Sequence, residues 1–488
     1  MATQVKLAVA PQGHRVIEQK VSLGIIVASR GFFNPALASQ ARTELLERLA
    51  KLGYQYQIMP ADATPNGAVE TFSDARKYAA FFQDHRKEID GILVVLPNFG
   101  DELGVVETIS RARLDVPVLV QALDDDPAKL GLKDRRDAFC GKLSVCNNLY
   151  QYGIPFTNTS LHTSALASEV FAQDLDYFSR VCRTVKGLRN ARVGQVGTRP
   201  APFQTVRFSE KLLQRAGITV IPIDMADMIA RASRFDAQAG EIKTKLSEIR
   251  GYGHIPDEIK EQGVIQQAKL SVALDQWMEE NQCDASAIQC WDSIQSNFGC
   301  ATCLSMSMMG ERLIPSACET DVTGALSMYA LLLASGNPPG FQDWNNNYGD
   351  DRDKCINVHC SNYPKSFMGK EIEISNLDVL GESLGHDRCF GAVKGQVVPG
   401  PMTFFRMSTF DAEGSIRAYV GEGSFTDDPC SIQGGSAVCH VPGLQKLMNY
   451  LCKNGFEHHV ALTRGNYARV IEEALTSYLK WDVYTHKE

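Results

Sequence analysis

The chain has 488 residues, 44% hydrophobic and 22% charged, with a formal net charge of −8 at pH 7. That length exceeds one ordinary domain and predicts two or three, with enough apolar content for full-sized cores. The acidic balance and scattered basic residues exclude the electrostatic footprint of a nucleic-acid binder. Met1-Ala2-Thr3-Gln4-Val5-Lys6-Leu7 carries no secretory apolar region. No stretch approaches the roughly 20 apolar residues of a membrane span, so no membrane partner and a cytoplasmic location are expected. The 14 cysteines then read as reduced thiols, many of them buried. Cys300-Ala301-Thr302-Cys303 is a lone C-x-x-C without a second pair, read as core cysteines rather than a redox centre or half a zinc site.

The first part alternates strand and helix. Val21–Ala28 is a continuous apolar run of buried-strand type, and helical periodicity follows from Ala36 to Leu52. Tyr54–Ile58 and Gly91–Pro97 read as strands, Phe72–His85 and Asp101–Ala112 as helices, and Val116–Val120 as the next strand. Repeated βα units predict a Rossmann-like parallel sheet covered by helices. Pro97-Asn98-Phe99-Gly100-Asp101 ends a strand where open α/β sheets bind ligands, but a plain connecting loop is the preferred reading.

A long helix from Ser164 to Val185 leads into a second α/β unit. Strands are expected at Ala191–Gly197, Ile218–Pro222 and Ala285–Trp291, with helices at Ala237–Ile249 and Gly263–Asn281. Gly194-Gln195-Val196-Gly197 is not the G-x-G-x-x-G fingerprint, so no nucleotide cofactor is expected. Past residue 337 the texture changes to short alternating segments: Glu371–Ile374, Gly391–Val398, Met402–Thr409 and Ile416–Val420. They predict a small antiparallel sheet or barrel. A helix at Val441–Leu451, a strand at His459–Leu462 and a helix at Asn466–Leu479 close the chain. The expected fold is thus α/β: Rossmann-like domains at 1–172 and 173–336, then a β-rich domain at 337–488.

Four positions carry the chemistry. Glu319 follows Pro315-Ser316-Ala317-Cys318 and precedes the helical pattern Gly324–Leu333. It is expected in the first turn, where backbone N–H groups and the helix dipole favour its ionised form. Asp343 lies in the polar knot Asp343-Trp344-Asn345-Asn346-Asn347, just past Pro338-Pro339-Gly340. His359 sits in the strand-like Cys355-Ile356-Asn357-Val358-His359-Cys360, and His458-His459 come near the end. Singly, each reads as a cap or a satisfied core residue. Ionisable groups in apolar surroundings need partners, and one shared divalent cation would satisfy them all. Such a cation can hold a polyol and polarise a carbonyl. Gln289, Trp291 and Asn345 are secondary candidates for contacts to a hydroxylated substrate, by amide hydrogen bonding and ring stacking.

Cys318-Glu319 with Gly324-Ala325-Leu326, Asp343 24 residues on, His359 before Cys360, and a late histidine followed by Gly465 resemble the L-fucose isomerase and L-arabinose isomerase superfamily over nearly the whole chain. The resemblance implies aldose–ketose isomerisation with a divalent metal, commonly Mn²⁺, held by Glu319, Asp343 and His459, with His458 as the alternative. It implies that the metal chelates O1 and O2 of the open-chain sugar and stabilises an enediolate. Glu319 and Asp343 then move the proton between C2 and C1. His359 falls where arabinose isomerases have a fourth ligand and is treated as substrate-binding. The resemblance also implies a homohexamer with shared sites, which Tyr150 and Asn147-Asn148 could reach from a neighbour. The chain is shorter than fucose isomerases and has Asp343 where arabinose isomerases have Glu, which leaves the sugar open among L-fucose, D-arabinose, L-arabinose and modified aldoses. The competing readings are a metal-dependent sugar aldolase or lyase and a non-catalytic sugar-binding protein.

Overall fold

The computed structural model describes residues 17, 20–360, 362–369, 372–432 and 434–487. Met1–Leu7 and Glu371, which carry sequence expectations, lie outside the described residues. The chain divides into two compact units. No described helix is long and apolar enough to cross a membrane.

The first unit spans Gln19–Lys186 and Glu473–Lys480. Its five strands, β1 (Ser22–Val27), β2 (Gln55–Gln57), β3 (Gly91–Leu96), β4 (Val118–Ala122) and β5 (Thr157–Asn158), pair in parallel in the order β2-β1-β3-β4-β5. Every residue of β1, β3 and β4 is buried, the pattern of a sheet covered on both faces. The helix Ala36–Leu52 contributes Leu37, Ala38, Ala41, Leu45 and Leu49 to the core, a helical stripe that ends at Gly53 with φ 75°. Asp101 caps the helix Glu102–Ala112 by accepting from Gly104 N at 2.6 Å. The Ala138–Gln151 helix is unexpected, because its Gly141 and Asn147-Asn148 weaken the helical pattern.

The second unit is built from Gly187–Glu472 and Trp481–Glu488. It begins with a parallel sheet in the order β7-β6-β8-β9, from β6 (Arg192–Val196), β7 (Thr219–Ile223), β8 (Ala285–Ile288) and β9 (Ser316–Ala317). β8 stops at Ile288, so Trp291 lies beyond the strand rather than in it. The helix Val322–Ser335 follows β9 and is buried along its whole length, as its apolar circumference requires. It packs on β6, β8 and β9 and on three strands of the sheet that follows.

That sheet comprises β10 (Gly340–Tyr348), β11 (Asp351–His359), β12 (Glu373–Asn376), β13 (Phe390–Gln396), β14 (Gly400–Phe410), β15 (Ser415–Phe425), β16 (Gly435–His440), β17 (His459–Arg464) and β18 (Asp482–Thr485). Six of them close on themselves in the order β10-β17-β14-β15-β16-β11, every neighbour antiparallel. The closing contact is short: Ser424 against His440 and Phe425 against Cys439. β13 and β12 extend this barrel beside β16, and β18 runs parallel to β15. The mixed α/β fold with a β-rich C-terminal part agrees with the expectation from sequence.

The polar knot Asp343–Asn347 is part of β10, where a bulge leaves Asn345 without a cross-strand partner. One local expectation needs correction. The helix after β9 starts at Val322, so Glu319 is outside it. Glu319 and Thr320 both have φ 58°, a left-handed conformation that cannot belong to a right-handed first turn. Cys300 and Cys303 are buried free thiols, and burial pushes the Cys300 thiol well up.

Candidate active site

The end of β9 is the C-terminal edge of a parallel sheet, where the chain turns into a buried helix. Asp321 is the N-cap of that helix and accepts from Gly324 N at 2.8 Å, so the backbone donors expected for Glu319 serve Asp321 instead. Gly324 is needed for this packing. A Cβ there would stand 2.4 Å from the Phe341 ring and 2.8 Å from Asp321 Cγ. The helix start is therefore pressed against β10.

Barrel register supplies the other groups. Asp343 on β10 lies directly across from His459 on β17, and across from Val358 on β11 on its other side. His359 is the next residue of β11. His459 is fully buried, with Nε2 3.2 Å from Glu319 Oε2 and 3.4 Å from Asp343 Oδ1. All three of these atoms are buried, and among the described residues none makes a well-aligned hydrogen bond beyond these ion-pair contacts with one another. Buried polar atoms without partners are costly and need a reason. Two clusters of possible metal ligands share His459: one with Glu319 and His458, the other with Asp343 and His359. Neither cluster holds both Glu319 and Asp343: each offers one carboxylate oxygen and two imidazole nitrogens, a donor set that fits a borderline divalent cation.

The electrostatics agree with such an occupant. Burial opposes a charge on His459, but Asp321, Glu319 and Asp343 outweigh it and push its pKa up to about 10. Burial also opposes ionisation of Glu319, yet His459, His359 and His458 hold its carboxyl below the ordinary value. A field negative enough to hold a proton on a buried imidazole is one that attracts a cation. His458 differs: its side chain is 43% exposed, 3.8 Å from Asp343 Oδ1, and burial together with neighbouring His459 pushes its pKa down.

The two buried histidines are held in opposite senses. His459 Nδ1 lies 2.8 Å from Asp321 Oδ2, an acceptor. A neutral His459 therefore donates from Nδ1 and keeps its lone pair on Nε2. His359 Nδ1 accepts from Cys360 N at 3.0 Å, so a neutral His359 carries its proton on Nε2. The first ring suits a cation and the second suits a hydroxyl or carbonyl oxygen.

A cavity of about 370 Å³ adjoins these groups. Glu319, Asp343, Asn345, His359, His458 and Trp291 line it, and His459 does not. Trp291 forms an apolar wall with Phe203, the rings edge to face at 5.0 Å. Gln289 is absent from the lining: its amide accepts from Thr198 N at 3.1 Å and donates to Trp291 O at 3.0 Å. Among the described residues, Lys394 is the one lysine or arginine in the lining, 20% exposed and 2.7 Å from Asp378 Oδ2.

Sequence reading passed over Lys394, Phe203 and a buried ionic array of Asp321, Arg406 and Glu457. Arg406 was detectable as a lone charge within Phe404-Phe405-Arg406-Met407. Against the cost of burial, Asp321 and Glu457 hold its guanidinium firmly cationic, and Arg406 in turn holds Asp321 well below the usual carboxylate range.

The comparisons with known proteins converge on one family. Residues 24–189 match the family model "Fucose/sulfoquinovose isomerase, N-terminal domain", and residues 357–487 match "L-fucose isomerase, C-terminal domain". A sulfoquinovose isomerase from Alkalicoccus urumqiensis is 24% identical over 91% of this chain and 95% of its own length. One from Priestia aryabhattai is 23% identical over 78% and 82%. A solved response-regulator/GGDEF protein aligns at 13% identity over 56% of this chain and 83% of its own, with a TM-score of 0.18 that is too low to bear on the fold. The chain belongs to the L-fucose isomerase superfamily, whose members interconvert aldoses and ketoses.

Proposed function

We propose that this chain is a metal-dependent aldose–ketose isomerase in which Glu319, Asp343 and His459 hold the cation, Mn²⁺ by resemblance. The carrying observation is that buried His459 Nε2 lies 3.2 and 3.4 Å from the carboxylates of Glu319 and Asp343 and is shared by both clusters of possible metal ligands. A bound divalent cation supplies Lewis-acid stabilisation of negative charge on the sugar oxygens.

The side chains do the rest. Glu319 and Asp343 both line the cavity, so both can reach an open-chain sugar there. One takes the proton from C2, which is returned at C1, while the other takes the proton from the O2 hydroxyl and delivers it to the O1 carbonyl oxygen, so that C2 ends as the ketone and C1 as the alcohol. His359 donates from Nε2 to a sugar oxygen, and the bulged Asn345 offers its amide at the same cavity. Trp291 and Phe203 exclude water from one side.

For substrate we propose an aldose with an anionic group at the end remote from its carbonyl, sulfoquinovose first. Two observations support this: relatives carry that name, and Lys394 places a cation in the cavity lining. The domain division 1–172, 173–336 and 337–488, the cytoplasmic location and the homohexamer belong to the same proposal. The hexamer is checked by light scattering. Tyr150, 79% exposed on its helix, is the residue proposed to reach a neighbour's site.

The test is a panel of L-fucose, D-arabinose, L-arabinose and sulfoquinovose incubated with the Mn²⁺-loaded chain and scored for ketose. Ketose from sulfoquinovose above the neutral sugars is expected. Ketose from neutral sugars alone would overturn the anionic substrate, and none from any sugar would count against the isomerase reading.

A further inference from the structure

We propose that Asp321 is a positioning residue that fixes which nitrogen of His459 faces the cation, and that Arg406 and Glu457 lock Asp321 in that role. This rests on the metal reading of Glu319, Asp343 and His459. His459 Nδ1 is 2.8 Å from Asp321 Oδ2. An ionised carboxylate only accepts, so Nδ1 is the donor and the lone pair goes to Nε2. Nε2 is the atom that faces Glu319 and Asp343.

Asp321 is not free to turn. Its Oδ1 accepts from Gly324 N at 2.8 Å and from Arg406 Nη2 at 3.0 Å, and its Oδ2 accepts from Arg406 Nη1 at 2.6 Å. Arg406 is held in turn: Nη2 donates to Thr323 Oγ1 at 2.9 Å and lies 3.1 Å from Glu457 Oε1, while Nε donates to Glu457 Oε2 at 3.3 Å. Ser408 donates to Glu457 Oε1 and completes the chain of contacts. Arg406, Asp321 and His459 are 0% exposed. Buried ionic groups of this kind seldom repay their desolvation as stability, whereas they do fix geometry. The array converts the N-cap of one helix and the middle of β14 into an orienting frame for β17.

His359 gives the internal contrast. Its Nδ1 accepts a backbone N–H, so the same ring type, its centroid 5.8 Å from that of His459, is held in the other sense. A carboxylate behind the ring is therefore what distinguishes the ligand histidine from the donor histidine.

The test titrates the metal-stripped full chain with Mn²⁺ by calorimetry, comparing wild type, Asp321→Asn and Glu457→Gln. Asp321→Asn is expected to weaken Mn²⁺ binding about 10–100-fold, the usual effect of losing a carboxylate behind a ligand imidazole. At saturating Mn²⁺ its kcat should fall with KM for the aldose little changed, a split that general loosening would not produce. Glu457→Gln, milder in its effect on folding, should weaken Mn²⁺ binding in the same direction but less, and it carries the test if Asp321→Asn does not fold. Unaltered Mn²⁺ affinity in either folded variant, with a wild type that binds, would overturn the positioning role alone. A wild type that takes up no Mn²⁺ would overturn the metal reading and this assignment with it.

Discussion

The parallel sheet of the first unit and the barrel of the second bury their interiors differently. In the first, β1, β3 and β4 present Leu23, Ile25, Val27, Leu93, Val95 and Leu119 to a core of aliphatic packing. In the second, the interior around β14 and β17 carries Arg406, Asp321, Glu457 and His459, each at most 5% exposed. An apolar core is sufficient for stability. Four buried ionisable groups are not needed for a barrel to form and are costly to keep. The difference separates a region whose sequence answers to packing from one whose sequence answers to chemistry.

Substitutions can break or sharpen that contrast. Arg406→Met leaves Asp321 and Glu457 buried without their cation and should cost about 3–5 kcal/mol, read as a lower denaturation midpoint in urea. Leu93→Ala, in the middle of β3, opens a cavity and should cost about 2–5 kcal/mol in the same measurement. The first penalty is electrostatic and should depend on pH in the acid range, whereas the second should not.

Asp284, immediately before β8, gives a smaller and signed effect. Burial outweighs its hydrogen bonds from Arg192 N and Tyr329 and pushes its pKa from 3.8 up to about 6. The folded chain thus keeps this proton to a higher pH than the unfolded chain does. The associated stability is full below about pH 4, falls as pH rises towards about 6 and then levels off, by about 2–3 kcal/mol in all. Asp284→Asn should remove that slope, so its melting temperature relative to wild type should climb between those pH values. A constant difference across them would refute the assignment.

The smallest effect concerns selectivity. Lys394→Met should raise KM for an anionic aldose about 10-fold and leave neutral sugars nearly unaffected, measured as the ratio of kcat/KM values. An equal loss for both would place Lys394 in the support of the cavity wall through Asp378.

Much of the fold was legible because strands announce themselves as apolar runs. Val21–Ala28 and Gly91–Pro97 lie within two residues of the observed strands. Barrel closure was not legible, since it depends on two residue pairs between β15 and β16 whose pairing no local pattern encodes. Glu319, Asp343 and His359 stood out as ionisable residues in apolar company, and they line one cavity. The helix start was misplaced because sequence gave no warning of two successive left-handed residues at Glu319 and Thr320. Asp321 and Arg406 escaped because their ion pair joins positions 85 residues apart. Only the oddity of an arginine among phenylalanines hinted at it.

The most direct test of the central claim is ketose formation by the chain after chelator treatment and again after Mn²⁺ is restored. The account predicts that activity is lost on stripping and returns with Mn²⁺ in the wild type, and that Glu319→Gln stays at least about 10³-fold below wild type in both states. Undiminished ketose formation by the stripped wild type, or wild-type turnover by Glu319→Gln, would contradict it.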